Sequence, residues 1–248
     1  MILSGKRALV TGSSRGIGAE IARLFAAEGA AVAVNYCTSK HEADLVVRSI
    51  NSKGGRAMST KADVSNPSDV SRMISESEKG LGGVDILVNN AGLSDGRIWN
   101  AGLPEITLDM WKRVFEVDSF GTFLCTQAVL RIMKKGVIVN VASTPAIAGD
   151  HDGIVYASAK GSVISMTKML AKILAPEVRV NCMVFGSFET GWVDWLTAKQ
   201  AASYRAAIPL RKFGKPLDAA NLALFLASEN SKFITGQTIV IDGGEVLH

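Results

Sequence analysis

The stretch Thr11-Gly12-Ser13-Ser14-Arg15-Gly16-Ile17-Gly18 follows directly on the short apolar run Arg7-Ala-Leu-Val10. Glycines in such a turn let the backbone reverse tightly and approach a phosphate group, which the N–H groups of a helix opening at about Gly16 would hold. The spacing G-x-x-x-G-x-G differs from both the G-x-G-x-x-G dinucleotide fingerprint and the P-loop. The stretch therefore predicts a strand, a glycine turn and a helix, which either hold a phosphate-bearing ligand or form an ordinary glycine-rich connection.

The same order of strand and helix repeats along the chain. Runs typical of strands occupy residues 7–11, 31–36, 56–62, 84–89, 136–142, 178–184 and 237–241. Apolar residues recur at helical spacing between these runs, for example at Ile17, Ile21, Leu24 and Phe25. This alternation predicts an α/β, doubly wound (Rossmann) fold with a parallel sheet covered by helices on both faces. No linker divides the sequence, so we predict one domain over residues 1–248, with a polar insertion at about 187–215 as a substrate lid.

Composition excludes several other classes of protein. The 27 Lys and Arg residues exceed the 23 Asp and Glu residues by only four, and no basic run accompanies the surplus, so no nucleic-acid partner is expected. Three scattered cysteines form no CxxC pair and no metal-ligand pattern, which predicts reduced thiols, no metal and a cytoplasmic protein. The first strand begins too early for a signal peptide, and no apolar run reaches the roughly 18 residues of a membrane span.

The end of the second strand discriminates between cofactors. Sheets that bind NAD usually end this strand with an acidic residue for the ribose 2′-hydroxyl, whereas a nearby Arg suits a 2′-phosphate. The sequence Val34-Asn35-Tyr36-Cys37-Thr38 has no acid, while Arg15 lies in the glycine turn and Lys40 adds a second cation. NADP(H) is therefore favoured over NAD(H). Two alternatives remain, since Arg15 could simply be solvated and Asn35 could still bond a free ribose.

Two further strand ends carry residues that fit a dinucleotide. Asp63 and Val64 close the third strand, where they are placed for the adenine amino group. Asn89-Asn90-Ala91-Gly92 closes the fourth, where small residues would let the adenosine side of the cofactor lie against the backbone. Asn and Asp at strand ends are by default turn residues. Their agreement in location is what favours a binding site.

A candidate catalytic set follows the fifth strand. Ser143 closes that strand, and Tyr156 comes thirteen residues later with Lys160 four residues beyond it, on the same face of a helix. Reduction of a carbonyl requires a proton and oxidation of an alcohol releases one, but a free Tyr has a pKa near 10. A neighbouring ammonium favours the phenolate, and Ser143 would orient the substrate oxygen. The alternative is a surface Tyr and Lys on an amphipathic helix, which the Ser at the preceding strand end makes less attractive.

With these motifs in this order, the sequence resembles the short-chain dehydrogenase/reductase superfamily over essentially its whole length. The later motifs Arg179-Val-Asn181, Thr235-Gly236 and Asp242-Gly243-Gly244 add to the match. The resemblance implies a seven-stranded sheet, Tyr156 as the acid/base, and a Lys160 that also holds the nicotinamide ribose. It further implies a homotetramer with interfaces on helices around residues 111–134 and 156–174. The expected cofactor contacts are Gly12, Ser14, Arg15, Gly16, Ile17, Gly18, Asn35, Tyr36, Asp63, Val64, Asn90, Ala91, Gly92, Tyr156, Lys160, Gly186 and Thr190.

Two residues depart from the family pattern. Val117-Asp118-Ser119-Phe120-Gly121 places Asp118 where the family has an Asn, which is thought to hold a water that relays protons to the Lys. Asp118 is therefore included in the catalytic set, either retuning that relay or marking a loss of turnover. Phe185-Gly186 stands where Pro-Gly is usual, and we expect this to change loop stiffness more than chemistry.

The substrate is expected to be a small-molecule carbonyl or alcohol, bound by residues 93–103 and 188–207. Trp192, Trp195 and Leu196 would either clamp an apolar or sugar-like substrate or pack a short helix, and His151 is expected to be a solvated loop residue. The overall resemblance favours a carbonyl reductase acting on a 3-oxoacyl thioester. A sugar or polyol dehydrogenase is the alternative, and a cofactor-binding protein with little catalysis is a second one, motivated only by Asp118.

Overall fold

The computed structural model describes residues 1–191 and 193–247, arranged around one seven-stranded sheet. The strand order is β3-β2-β1-β4-β5-β6-β7, and every neighbouring pair is parallel. The strands are β1 (Arg7–Val10), β2 (Ala31–Tyr36), β3 (Arg56–Lys61), β4 (Ile86–Asn89), β5 (Gly136–Ser143), β6 (Val178–Phe185) and β7 (Thr238–Ile241). The doubly wound fold and its seven strands are confirmed, and each predicted strand agrees within two residues at either end.

Helices connect the strands and cover the sheet. They are α1 (Gly16–Ala27), α2 (Lys40–Asn51), α3 (Pro67–Leu81), α4 (Gly96–Trp99), α5 (Leu108–Phe115), α6 (Gly121–Val129), α7 (Pro145–Ala148), α8 (Ile154–Leu174), α9 (Ala198–Ala207) and α10 (Pro216–Ala227). One core cluster joins β1 and β2 to α1 and α10, and another joins β1 and β4 to α3 and α6. Because both faces are covered, the central strands are almost wholly apolar.

The strand order reverses between β1 and β4, which lie side by side although β2 and β3 separate them in sequence. Ligands of open parallel sheets bind at such a point, beyond the carboxyl ends of the strands. The glycine turn after β1 and the residues after β4 therefore face one crevice. Ser143, the last residue of β5, borders the same crevice.

The connection from α5 to α6 is a π-helical turn over Glu116–Phe120. Such turns are rare and occur frequently at functional sites. This one carries Asp118 and Ser119, both of which are buried. The Asp118 main-chain carbonyl accepts a hydrogen bond from the Thr122 hydroxyl at 2.9 Å, and the Ser119 hydroxyl pairs with that of Ser162 on α8 at 2.7 Å.

The polar insertion forms a 3₁₀ turn at Val193–Trp195 followed by α9. Thr197 caps α9 reciprocally with Gln200, and Leu196 packs against a small cluster that contains Ala201, Ile208 and Phe213. Trp192 and the side chain of Trp195 lie outside the described residues. Within the part of the chain that the structure describes, no helix is long and apolar enough to cross a membrane.

Candidate active site

The glycine turn between β1 and α1 needs its glycines for different reasons. Gly12 and Gly16 have φ angles of 60° and 57°, which disfavour any residue with a side chain. A Cβ on Gly12 would also lie 2.8 Å from the Ala91 Cα atom, and one on Gly18 would lie 2.5 Å from the Asn90 amide nitrogen. The turn is therefore shaped both by its own backbone and by the segment after β4, which packs directly against it.

Hydrogen bonds fix these two segments to each other. The Thr11 hydroxyl accepts hydrogen bonds from the backbone N–H groups of Asn90 and Ala91, each at 3.0 Å. The Asn90 side-chain amide donates hydrogen bonds to the carbonyls of Thr11 and Gly12 at 2.9 and 3.2 Å. The sequence analysis quoted Thr11 as the start of the glycine turn but did not predict its role, although its position between the last apolar strand residue and the first glycine indicated one.

Asn35 corrects one expectation. Its side chain is buried, with only 1% of the residue exposed, so it is not available to a ribose at the surface of the crevice. The amide oxygen accepts a hydrogen bond from the Gly12 N–H at 2.9 Å, and the amide nitrogen donates to the Ala62 carbonyl at 3.2 Å. Asn35 therefore braces the glycine turn from behind instead of contacting a cofactor.

The candidate cations for a 2′-phosphate differ in what already surrounds them. Arg15 is exposed at the mouth of the glycine turn, and none of the ion pairs found among the described residues involves it. Lys40 is also exposed but forms an ion pair with Asp44 one helical turn further along α2. Arg15 is therefore the cation that is more available to bind an anion.

The other expected cofactor residues surround the same crevice. Asp63 accepts hydrogen bonds from Ser65 through one carboxylate oxygen, and Val64 packs beneath Gly121. The Thr190 methyl group lies 3.8 Å from where a Gly16 Cβ would stand. Ser14, Ala91, Gly92 and Gly186 keep exposed surface beside these residues, whereas the side chains of Ile17 and Tyr36 pack into the core, so the expected contact through the Tyr36 side chain is not available. The glycine cradle and its open rim fit the pyrophosphate of a dinucleotide.

Ser143, Tyr156 and Lys160 come together at the end of β5. The Ser143 hydroxyl donates to the Phe185 carbonyl at 3.2 Å and lies near enough to Tyr156 to lower the pKa of that side chain. The Lys160 ammonium lies 5.6 Å from the centre of the Tyr156 ring and donates to the Val141 carbonyl at 3.2 Å. The structure thus brings together the set that the sequence placed on one strand end and one helical face.

Asp118 joins this set through a direct ion pair. Its Oδ1 atom lies 2.8 Å from the Lys160 ammonium nitrogen, and the two side chains are 0% and 4% exposed. Its Oδ2 atom accepts a hydrogen bond from the Leu93 N–H at 2.9 Å. A Cβ on Gly92 would come within 2.9 Å of Oδ1, so a glycine is needed there for the carboxylate to reach its position.

The electrostatics differ from the simple expectation that Lys160 lowers the pKa of Tyr156. Desolvation raises this pKa most, Lys160 lowers it, Asp118 raises it again and Ser143 lowers it, with a net pKa above the ordinary value. Burial alone would lower the pKa of Lys160, but Asp118 and Tyr156 reverse that direction and keep the ammonium charged. Tyr156 therefore stays protonated at neutral pH in this structure.

Trp99, on α4, forms a wall of the site that the sequence analysis included only as part of a segment. Its ring stands edge-on to that of Tyr156, with centroids 5.5 Å apart. Gly153 packs closely against the same ring, where a Cβ would lie 2.6 Å from the indole. His151 is exposed on the intervening loop, as expected. The described residues contain no group of three or more His, Cys, Asp or Glu side chains placed to hold a metal ion.

Comparisons with known proteins give relatives over nearly the whole chain. A family model described as "Enoyl-(Acyl carrier protein) reductase" matches residues 12–245. A 3-oxoacyl-[acyl-carrier-protein] reductase from Synechocystis sp. is 38% identical over 250 residues, covering 99% of this chain and 98% of that protein. The crystal structure of a short-chain dehydrogenase from Burkholderia cenocepacia J2315 in complex with NADP is 36% identical, has a TM-score of 0.91 and covers 99% of both chains.

A third relative represents a different substrate class. A short-chain dehydrogenase/reductase from Brucella melitensis, described as a glucose/ribitol dehydrogenase, is 30% identical, with a TM-score of 0.93 and coverage of 100% of this chain and 99% of that one. The chain therefore belongs to the short-chain dehydrogenase/reductase family, which confirms the resemblance drawn from its motifs. It is an oxidoreductase.

Proposed function

We propose that this oxidoreductase uses NADPH to reduce a ketone carbonyl to a secondary alcohol, with 3-oxoacyl thioesters as its substrate class. The observation that carries the proposal is the set of Ser143, Tyr156 and Lys160 at the edge of the crevice that the glycine turn borders. The substrate class is supported by the Synechocystis relative, which is named for this reaction.

The side chains assign the proton side of the reaction. When bound, the nicotinamide supplies a hydride to the carbonyl carbon. The Tyr156 hydroxyl donates its proton to the carbonyl oxygen, and the Ser143 hydroxyl holds that oxygen in place by a hydrogen bond. Lys160 stabilises the tyrosinate that remains after proton transfer, and its remaining donor would bond the nicotinamide ribose. The product is an alcohol, and Tyr156 recovers a proton from solvent.

The preference for NADP(H) over NAD(H) rests on the end of β2 and on Arg15. No acidic residue follows Asn35 and Tyr36 to accept a bond from a 2′-hydroxyl. A guanidinium forms paired hydrogen bonds to phosphate oxygens, so the exposed Arg15 suits a 2′-phosphate. The NADP-bound relative from Burkholderia cenocepacia adds support from a protein with 36% identity.

The test is NADPH oxidation by the purified protein against a panel of substrates. The panel contains a 3-oxoacyl thioester, simple ketones, diketones, sugar-derived ketones and a 2-enoyl thioester. We expect turnover with the 3-oxoacyl thioester. Turnover of the enoyl thioester alone would show that the protein is an enoyl reductase, as the description of the family model reads. Oxidation of free polyols without turnover of any thioester would show that it is a polyol dehydrogenase.

Replacing Tyr156 by Phe tests the catalytic assignment. The substitution removes one hydroxyl and keeps the ring that packs against Trp99. Because general acid catalysis contributes about 10²- to 10⁴-fold, we expect kcat to fall by at least a hundredfold, with NADPH binding little changed. Full activity in the Phe variant would exclude Tyr156 as the proton donor.

We also propose that the protein acts in the cytoplasm as a homotetramer. The support is a set of exposed apolar side chains on α8 and on the π-helical turn and α6: Phe120, Phe123, Met169 and Ile173. Apolar side chains gathered on adjacent helices are typical of interfaces. Light scattering of the purified protein measures the assembly, and a monomer at micromolar concentration would contradict the proposal. All three cysteines are free thiols, in keeping with a reducing compartment.

A further inference from the structure

The two carboxylate oxygens of Asp118 each face a donor group, one through an ion pair and the other through a hydrogen bond. Oδ1 faces the Lys160 ammonium at 2.8 Å, and Oδ2 accepts from the Leu93 N–H at 2.9 Å. An Asn in the same orientation would turn its NH₂ group, which is only a donor, towards one of these two donors. The carboxylate therefore supplies a negative charge and a second acceptor that the amide usual in the family lacks, although the two side chains have the same shape.

The surrounding backbone is shaped to bring the carboxylate to this place. The π-helical turn buries Asp118 completely, and Gly92 leaves the space through which Oδ1 approaches. Lys160 is 3% exposed and has three donors, of which one faces Asp118 and one the Val141 carbonyl. One donor remains for the Tyr156 oxygen or for the ribose of a cofactor.

The pair changes the charge beside Tyr156. Without Asp118, the buried set would carry the positive charge of Lys160, which favours ionised Tyr156. With Asp118 paired at 2.8 Å, the set is neutral while Tyr156 is protonated and negative once it ionises. Cys182, on β6, adds no charge because burial raises the pKa of its thiol to about 12. Ser143 contributes a hydrogen bond but no charge, so Asp118 and Lys160 are the charged groups that face the tyrosine.

We propose that Asp118 is a positioning residue that holds Lys160 in a buried neutral pair and thereby keeps Tyr156 protonated, so that carbonyl reduction keeps its rate into the alkaline range. The proposal rests on the proposed function in taking Tyr156 as the proton donor. Because the equilibrium constant fixes the ratio of the two directions at each pH, Asp118 does not select a direction. Asp118 instead sets the pH at which the rate of each direction begins to change.

The test compares the wild-type protein with Asp118→Asn, which keeps the shape and removes the charge. We expect the alkaline limb of kcat/KM for reduction, measured at saturating NADPH, to move down by about one pH unit, the shift that one nearby like charge produces. Asp109→Asn is the matched control, since it removes the same charge from a side chain on α5 that is 94% exposed. Its profile should coincide with that of the wild type.

A second measurement needs neither turnover nor cofactor. The chain has three tyrosines, so the ultraviolet tyrosinate titration of the wild type minus that of Tyr156→Phe reports Tyr156 itself. We expect Tyr156 to ionise above the ordinary pH of about 10 in the wild type and at lower pH in the Asp118→Asn background. If the Asn variant does not fold, ionisation of wild-type Tyr156 below about pH 10 overturns the proposal, and ionisation above it supports the proposal.

The outcomes separate this inference from the proposed function. If no carbonyl on the panel is reduced, the proposed function fails while the tyrosinate titration still tests the role of Asp118. If reduction proceeds and the Asp118→Asn profile bends at the same pH as the wild type, the proposed function stands and the role of Asp118 is wrong.

Discussion

Replacing Asn35 by Ala tests whether the glycine turn is held from behind by this buried amide. In the wild type, the side chain joins the Gly12 N–H to the Ala62 carbonyl, with distances of 2.9 and 3.2 Å. Two longer contacts, to the carbonyls of Tyr36 and Thr60 at 3.4 Å, are too long to contribute much. The alanine variant leaves the N–H of Gly12 and the carbonyl of Ala62 without these partners.

The magnitude follows from the number of bonds and their burial. Each unsatisfied buried group costs about 1–3 kcal/mol, and the missing amide also removes packing contacts. Two such groups would cost about 2–6 kcal/mol, and because the bond to the Gly12 N–H is only part-buried, we expect the free energy of unfolding to fall by about 2–4 kcal/mol. At roughly 2–4 °C per kcal/mol for a domain of this size, the melting temperature should fall by about 5–15 °C. NADPH and NADH should lose affinity by similar factors, because the loosened turn serves the pyrophosphate that both contain.

Calorimetric unfolding and fluorescence titration with each cofactor measure both effects at one protein concentration. Asn51→Ala is the matched control, because the Asn51 amide also accepts from one backbone N–H and donates to one carbonyl, both of Ala57, but is exposed at the end of α2. We expect the control to cost about 1 kcal/mol or less. If the two variants lose equal stability, or if Asn35→Ala weakens one cofactor selectively, the bracing role is refuted.

Two further substitutions test the cofactor crevice. Arg15→Ala should lower kcat/KM for NADPH by roughly 10- to 100-fold, the value of a charge-assisted hydrogen bond, and change kcat/KM for NADH by no more than about threefold. Lys40→Ala should change kcat/KM for either cofactor by no more than about threefold, because the Lys40 ammonium is already paired with Asp44. A larger loss in Lys40→Ala than in Arg15→Ala would reverse the assignment. Gly18→Ala places a Cβ 2.5 Å from the Asn90 amide nitrogen and 2.8 Å from the Gly12 carbonyl oxygen. We expect overpacking to destabilise the protein by about 1–3 kcal/mol and both cofactors to bind at least tenfold more weakly in the same titrations. An alanine variant with wild-type affinity would contradict the geometry.

The fold was predictable because its signals are local. A strand buried on both faces must be apolar throughout, as Ile86 to Val88 and Val137 to Val139 are, so its place is visible in the sequence itself. The start of α1 at Gly16 follows from the glycine turn in the same way. The π-helical turn at Glu116–Phe120 was not foreseen, because its pattern of apolar residues does not differ recognisably from that of the helices that it joins.

The candidate site was predictable in its members more than in their roles. Ser143, Tyr156 and Lys160 meet as their spacing indicated, since a strand end and one helical face fix them. The role of Asn35 depended on the burial of its amide behind the turn, which arises only when the strands β1, β2 and β3 pack side by side. Likewise, the pairing of Asp118 with Lys160 joins residues 42 positions apart, and no local pattern reports such a contact.

The polar residues of this crevice divide into those that hold its shape and those that remain available to a ligand. The side chains of Thr11, Asn35 and Asn90 form hydrogen bonds with the backbone of the glycine turn and of the segment after β4. Arg15 stays exposed at the rim, and Lys160 keeps one donor after Asp118 and Val141 have taken the others. Since a group already bonded within the protein gains little from a ligand, cofactor preference should depend mainly on Arg15. Substitutions of the bracing residues should instead change stability and affect both cofactors alike.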